Sequence, residues 1–285
     1  MTTLEWKLTL DELRKWLGHV SISITGGETL LRKGTIEIVE YAAMLGFRVE
    51  LLTNGFLMTS EKVGQLLQSG VKRITISLDS SKPEIHDKIR GKAGFFDNAT
   101  KALQMLSDER DRIGCDVEIW GKTVIMSHNV HDLSNIVVLT KSLSINGILF
   151  QSLTPVYYSE QQGDPKWYVN NPLWITDKNT LSQSIQQLRV LKAQGYHILN
   201  TIENLNIIED YYMHPEELAH KVHSHNYKKK KNQNCETWVA GLEIRPDGGM
   251  KMCHRMTSFA NAKDGHIRQA WKKRTRCWKK PCQYI

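Results

Sequence analysis

Hydrophobic and polar positions alternate between two periods along the first part of the chain. The segments 21–25 and 71–78 place isoleucine or leucine at every second position, which is typical of strands. Near the start, Leu10, Leu13 and Leu17 recur at helical spacing, and a glycine follows them as a helix stop. The pattern therefore predicts helices and strands in regular alternation.

This alternation predicts an α/β fold whose strands pair in parallel, because each connection is long enough to hold a helix. The predicted strands cover residues 21–25, 48–52, 71–78, 116–126 and 147–152. The predicted helices cover residues 2–17, 35–45, 60–68, 98–106, 131–143, 177–192 and 204–212. A partial βα barrel and an open doubly wound sheet both fit. The order opens with a helix, so we expect the first strand of such a barrel to be missing.

Composition limits the class of protein. With 285 residues, 40% hydrophobic and 24% charged, the chain is predicted to be a soluble globular protein with a large core. It shows no membrane span and no signal peptide, so we expect a cytoplasmic protein. The net charge of +8 includes a lysine run at 228–231. Solvated surface is the plain interpretation, and nucleic-acid binding is not expected because no such motif accompanies the charge.

Polar residues and glycines collect where the predicted strands end. Ligand sites in parallel βα folds lie at the carboxyl ends of the strands, so these residues are candidates for one site. A Gly-Gly pair alone more often marks a turn, and a lone Ser-x-Asp is weaker still. The candidate residues at the first, second, third and fifth strand ends are Gly26, Gly27, Glu28, Asn54, Ser77, Asp79 and Gln151.

Taken in order, these motifs resemble those of radical S-adenosylmethionine (SAM) enzymes. The run Ile-Ser-Ile-Thr-Gly-Gly-Glu-Thr-Leu-Leu resembles the Gly-Gly-Glu-Pro motif of that family, with Thr29 in place of the proline. Thr-Asn-Gly, Ile-Ser-Leu-Asp-Ser and His-Asp-Lys-Ile-Arg-Gly follow in the family's order. The resemblance covers roughly residues 1–155. It implies a partial (βα) barrel of the radical SAM type and SAM as a cofactor.

The resemblance also implies roles for the candidate residues. The backbone at Gly26, Gly27 and Glu28 would receive the amino group of SAM. Ser77 and Asp79 would meet its ribose or carboxylate.

Three further residues complete the implied cofactor site. Gln151 would lie near the adenine, and Asn54 belongs to the site through the Thr-Asn-Gly motif. Arg90 would neutralise the SAM carboxylate. The alternative role of Arg90 is a surface salt bridge to Asp87 or Glu84.

In this family, a 4Fe–4S cluster held by three cysteines cleaves SAM reductively, and the resulting 5′-deoxyadenosyl radical abstracts a substrate hydrogen. The three cysteines lie in a C-x-x-x-C-x-x-C loop near the amino terminus. No cysteine precedes Cys115 in this chain, and Cys115 itself is expected to be inert and buried. We therefore expect the chain as given to be inactive, and the catalytic cluster to occur only in a full-length form.

Four cysteines lie near the carboxyl end. Cys235, Gly248 and Cys253 have C-x12-G-x4-C spacing, and Cys277 and Cys282 follow. The segment between the first two predicts a β-hairpin turning at Pro-Asp-Gly-Gly. This spacing resembles SPASM and twitch domains, which implies an auxiliary 4Fe–4S cluster. Four thiolates would also suffice for structural zinc, but the spacing and the accompanying barrel favour iron–sulfur.

These features predict a domain order. Residues 1–222 would form the radical SAM-like partial barrel with a helical extension, 223–234 a lysine-rich linker, and 235–285 the cysteine-bearing domain. The resemblance implies a peptide or protein substrate and an electron donor as partners. Aromatic residues after the fifth strand, such as Trp167, fit either a pocket mouth or plain packing.

Three hypotheses remain open from the sequence. The chain is a truncated enzyme whose full gene encodes the missing cysteines, which the contiguous nature of the missing block favours. Alternatively, it is a pseudo-enzyme that binds SAM or a partner without chemistry. In the third, it is a zinc-bearing basic module that binds an anionic polymer.

Overall fold

The computed structural model describes residues 1–155, 164, 166–216, 241–252 and 256–274. Contacts between residues divide the chain into two compact units. The sheet unit comprises His19–Leu153 and Pro172–Glu209. The small unit comprises Met1–Gly18, Thr154–Asn171 and Asp210–Ile285.

The sheet unit is built on five parallel strands in the order β1-β2-β3-β4-β5. They are β1 Ser21–Ile24, β2 Arg48–Thr53, β3 Arg73–Ser77, β4 Glu118–Ile125 and β5 Gly147–Ser152. Each predicted strand is present within two residues of its predicted ends. The predicted α/β class with parallel pairing is therefore confirmed, and all five carboxyl ends lie at the same edge of the sheet.

The two faces of this sheet differ in burial. Along β4, Ile119, Thr123 and Ile125 are fully buried and Gly121 is buried as well, whereas the alternating residues Trp120, Lys122 and Val124 are half-exposed. Parallel partners in register share a face, so Arg73 and Glu118 mark the half-exposed face on neighbouring strands. We call the face that carries Glu50, Arg73 and Glu118 the open face, and the opposite one the covered face.

Nine helices lie within the described ranges. They are α1 Thr3–Leu17, α2 Thr35–Met44, α3 Ser60–Gln68, α4 Pro83–Arg90, α5 Phe95–Ile113, α6 Leu133–Ser142, α7 Lys178–Ala193, α8 Ile202–Met213 and α9 Ile267–Lys273. The capping box between Thr2 and Glu5 is present at the start of α1. α5 begins before the predicted helix 98–106 because the Asp87 carboxylate accepts hydrogen bonds from the Gly94 and Phe96 N–H groups of its first turn.

The small unit contains the predicted hairpin. β6 (Glu243–Ile244) pairs antiparallel with β7 (Gly249–Lys251), and β8 (Ala260–Asn261) pairs with β7. In α9, Trp271 packs against Trp16 of α1, with ring centroids 5.7 Å apart.

Residues 1–18 belong to the small unit, where α1 contacts α9 and the short helical turn Ala262–Asp264. The domain bounds 1–222, 223–234 and 235–285 remain predictions. The predicted linker 223–234 lies outside the described residues, as do Cys235, Cys253, Cys277 and Cys282. Within the described ranges, no helix is both long and apolar enough to cross a membrane.

Candidate functional site at the carboxyl edge of the sheet

The glycine loop after β1 faces open space. Gly26 has a φ of +153°, a region that disfavours other residues, and a Cβ added at Gly26 or Gly27 would meet no atom within 4 Å. Both glycines are exposed. The backbone of this loop is therefore accessible to a ligand approaching the edge.

Glu28 ties this loop to the end of β2. Its Oε1 accepts hydrogen bonds from the Thr53 hydroxyl at 2.7 Å and from the Leu30 N–H at 2.9 Å. Its Oε2 accepts one from the Asn54 N–H at 2.8 Å. The Asn54 side chain caps the next turn through the Phe56 N–H. Glu28 and Asn54 thus support the loop, and their side chains are already bonded to protein.

Asp79 follows β3 and is buried, with 1% of its surface exposed. Its Oδ1 accepts a hydrogen bond from the Val124 N–H on β4 at 3.0 Å. Its Oδ2 lies 2.5 Å from Nη2 of Arg90, at the end of α4. The carboxylate therefore joins β3, β4 and α4 at the sheet edge.

Arg90 pairs with Asp79 rather than with Asp87 or Glu84. The alternative of a surface salt bridge to those residues is wrong, since Asp87 caps α5 and Arg90 turns to the buried carboxylate. The Arg90 side chain is 27% exposed. Its Nε atom is buried and has no hydrogen-bond partner among the described residues.

His86, one turn before Arg90, is held as a neutral ring. Its Nδ1 accepts a hydrogen bond from the Asp79 N–H at 3.1 Å, so Nδ1 carries no proton. Burial lowers the pKa of His86, and the charge of Arg90 lowers it further, against the opposing effect of Asp79. The imidazole therefore supports Asp79 from α4.

A second buried carboxylate fastens the loop that carries Asp79. Asp132 is fully buried and accepts hydrogen bonds from the Ser80 hydroxyl at 2.5 Å and from the N–H and hydroxyl of Ser81, both at 2.7 Å. Burial acts to raise the pKa of Asp132, but these bonds, with one from Asn135, outweigh it and hold the pKa below its usual value. Asn129 adds a bond from its side chain to the Asp79 carbonyl.

The open face contributes four side chains at this edge. Ser77 of β3 lies beside Lys122 of β4 in register, and Val124 lies beside Gln151 of β5. All are half-exposed. Burial lowers the pKa of Lys122, while the negative charge of Asp79 raises it. Lys122 thus places a partly desolvated cation near Asp79, on the same face as Ser77.

The predicted residues fall into bonded groups. Glu28 and Asn54 are joined at the ends of β1 and β2, and Asp79 is joined to Arg90 beyond β3. Register alone places Ser77 and Gln151 at the same edge.

Sequence reasoning missed Lys122, His86 and Asp132 as parts of this site. The two-residue period of β4, with Glu118 and Lys122 on the polar side, was the available signal for Lys122. The Ser80 and Ser81 partners of Asp132 lie 52 and 51 residues away, so no local pattern marks Asp132 as part of this site.

Comparisons with known proteins agree with this geometry. The family model of the Radical SAM superfamily matches residues 1–137. The chain is similar to the AdoMet-dependent heme synthase of Methanosarcina barkeri, at 32% identity over 143 residues, which is 50% of this chain and 39% of that protein. It is similar to the PqqA peptide cyclase of Bradyrhizobium diazoefficiens, at 24% identity over 74% of this chain and 51% of that protein. The chain thus spans about half or less of these relatives.

Among solved structures, Streptococcus suis SuiB bound to its precursor peptide SuiA matches with a TM-score of 0.67 and 16% identity. The match covers 95% of this chain and 58% of SuiB, which has also been solved with S-adenosylmethionine. At this identity the likeness shows the fold. The predicted partial barrel of the radical SAM type is confirmed for the five-stranded sheet.

Proposed function

Because residues 1–137 form a radical SAM superfamily domain, we propose that the carboxyl edge of this sheet binds SAM and serves the radical modification of a peptide or protein. The observation that carries the proposal is the Arg90 guanidinium, which buried Asp79 holds at the same edge of the sheet as the open glycine loop. Members of this superfamily are enzymes.

The residues at the edge fit the parts of SAM. The exposed backbone at Gly26 and Gly27 offers carbonyl oxygens to the ammonium group without a side chain in the way. The buried, unpartnered Nε of Arg90 and its remaining N–H groups suit a carboxylate. Ser77 on the open face offers a hydroxyl to the ribose, and Gln151 offers an amide near the adenine.

The other candidate residues act behind these contacts. The Glu28 carboxylate holds the glycine loop against β2, and the Asn54 side chain shapes the turn after it. Their role in SAM binding is to keep the loop in place.

The residues described do not form a site for the catalytic cluster. No group of three or more His, Cys, Asp and Glu side chains is placed to hold a metal within the described ranges, and the sequence has no cysteine before Cys115. In the family, the 4Fe–4S cluster supplies the electron that cleaves SAM. We therefore infer that the 285 residues alone bind SAM without cleaving it.

This inference is tested by anaerobic incubation with iron, sulfide, dithionite and SAM. We expect no 5′-deoxyadenosine above a protein-free control. Formation of 5′-deoxyadenosine by this chain would overturn the inference, while leaving the SAM site itself in place.

A peptide or protein is the substrate class that we propose. One relative is named a peptide cyclase, and SuiB has been solved with a precursor peptide, which supports this class. The heme synthase relative shows that similar chains also serve other substrates. An external electron donor would complete the reaction.

The carboxyl-terminal cysteines are proposed to hold an auxiliary 4Fe–4S cluster. Cys235, Cys253, Cys277 and Cys282 supply the four thiolates that such a cluster needs. Anaerobic reconstitution of the whole chain should yield a brown protein that loses its colour in Cys253→Ser. A colourless protein with bound zinc would instead support a structural metal site.

Calorimetric titration with SAM tests the proposed site. Without a cluster iron, hydrogen bonds of about 0.5–1.5 kcal/mol each and one ion pair hold the ligand, so we expect a Kd weaker than about 1 µM. Arg90→Met should weaken binding about tenfold, because it removes the charged partner of the carboxylate. Arg112→Met, which removes an exposed arginine of α5, is the control and should leave binding unchanged. Absence of SAM binding at millimolar ligand, or unchanged binding in Arg90→Met, contradicts the proposal.

A further inference from the structure

Asp79 has both carboxylate oxygens bonded within the protein. Oδ1 accepts the Val124 N–H, and Oδ2 faces Arg90 Nη2. Only 2% of the side chain is exposed. A ligand at the edge of the sheet would therefore have to displace a protein contact to reach this carboxylate.

The backbone of Asp79 is fixed as well. Its N–H donates to His86 Nδ1, and its carbonyl accepts from the Asn129 side chain at 2.7 Å. Four contacts thus hold one residue, and they come from α4, β4 and the loop after β4. A residue held so fully cannot turn toward a ligand without breaking several buried hydrogen bonds, each costly to lose.

Arg90 is the partner that reaches the surface. More than a quarter of its side chain is exposed, and its Nε–H has no partner among the described residues. A guanidinium carries five N–H donors in a planar fork, so one ion pair leaves donors for a second carboxylate. Lys122 is a second cation near Asp79 on the open face.

We propose that Asp79 is a positioning residue, which makes no contact with SAM and acts by aiming the Arg90 guanidinium at the carboxylate of SAM. This inference rests on the proposed SAM site. The sequence resemblance implies direct contact between Asp79 and SAM, whereas the inference gives that contact to Arg90. Arg90 makes the contact, and Asp79 fixes its direction.

A double-mutant cycle separates the two roles. The variants are Asp79→Asn, Arg90→Met and the double variant, and the ligands are SAM and 5′-methylthioadenosine, which lacks the amino-acid part. The asparagine side chain keeps an acceptor for the Val124 N–H but lacks the charge that holds Arg90. If Asp79 acts through Arg90, each single variant weakens SAM about tenfold and the double variant is no weaker than Arg90→Met. Binding of 5′-methylthioadenosine stays unchanged in all three.

Two results would overturn the inference. The first is additive losses of SAM affinity in the double variant, and the second is weaker binding of 5′-methylthioadenosine to Asp79→Asn, which would mean direct contact with the ribose. If the wild-type chain binds neither ligand, the proposed SAM site itself fails, and that outcome is distinct from either of these.

A measurement on the wild-type protein covers the case in which Asp79→Asn does not fold. In NMR titrations, SAM should shift the Arg90 Nε–H resonance and leave the Val124 amide almost unmoved, because Asp79 keeps its partner. 5′-Methylthioadenosine should shift neither. A shift of the Val124 amide that exceeds that of the Arg90 Nε–H would overturn the inference.

Discussion

The open face of the sheet carries charges at both ends of its strands, and the two ends use them differently. At the amino end, Arg73 pairs with Glu50 and Glu118, both at 2.7 Å, and Arg48 pairs with Glu118 at 3.3 Å. The Arg73 guanidinium also lies over the Trp120 ring, 3.3 Å from its centroid. Two cations and two carboxylates therefore balance one another.

At the carboxyl end one donor is left over. Arg90 and Lys122 both lie near the buried carboxylate of Asp79, and the buried Arg90 Nε–H has no partner among the described residues. Unpaired polar groups that a fold retains at one edge are typical of ligand sites. At the amino end of the face, these charged side chains pair with one another and stabilise the sheet. At the carboxyl end, the unpartnered Arg90 donor is left for a ligand.

Removing a carboxylate should show the largest contrast between the ends. Asp132→Ala leaves buried donors from Ser80 and Ser81 without an acceptor, so we expect a loss of about 3 kcal/mol in the free energy of unfolding. Glu118→Ala removes a partly exposed ion-pair partner and should lose about 1 kcal/mol. Urea denaturation of both variants measures the two free energies of unfolding. Equal losses would show that the two ends of the sheet do not differ in this respect.

Adding one methyl group gives the next contrast. At the amino end, a Cβ at Gly147 would lie 2.5 Å from the His197 carbonyl oxygen, so Gly147→Ala should lose about 2–3 kcal/mol. At the carboxyl end, Gly27→Ala meets open space and should change stability by less than about 0.5 kcal/mol.

The same Gly27 variant should still weaken SAM binding, because the methyl group would occupy the path by which the ligand reaches the backbone. Thermal denaturation together with SAM titration checks both halves. A Gly27→Ala protein that binds SAM as well as the wild type would show that this loop is only a turn.

Lowering the pH should reduce the free energy of unfolding through His86, which lies at the carboxyl end of the sheet. The pKa of His86 is lowered in the folded protein by burial, so the unfolded chain binds the proton more readily. Stability is then fully present above the unfolded pKa of about 6.5 and falls as pH drops below it, by at most about 1.4 kcal/mol per pH unit for one proton.

His86→Gln is the matched variant, because its amide oxygen can accept the Asp79 N–H without titrating. Denaturant midpoints at pH 7.5 and pH 5.5 should differ less in His86→Gln than in the wild type. An equal pH dependence in both proteins would show that the titration of His86 does not cause the loss of stability in acid.

The smallest effect on stability is expected for Lys122→Met. Burial already disfavours the charged form of Lys122, so replacing it with an apolar side chain should change stability by less than about 0.5 kcal/mol. SAM or a substrate anion should nevertheless bind more weakly, because one of two cations at this end is gone. Lys178→Met, which removes another lysine whose pKa burial lowers, is the control. If Lys122→Met lowers the free energy of unfolding but leaves SAM binding unchanged, Lys122 stabilises the fold and takes no part in binding.

The sequence by itself determined the five strands of the sheet and the edge at which the site lies, although the helix α4 was not predicted. The capping box at Thr2 and Glu5, the glycine stops and the two-residue period of the strands are set by neighbours within a few residues. Parallel pairing then places Gly26, Ser77 and Gln151 at one edge, since every carboxyl end of a parallel sheet lies on the same side.

Only the tertiary structure decided which charged groups pair. Arg90 had acidic neighbours three and six residues away, yet it bonds to Asp79, which is buried by β4 and α4. Likewise α1 packs with α9, which lies near the other end of the chain. Charge pairing depends on burial and on register between distant strands, and both are properties of the assembled fold that no local pattern contains.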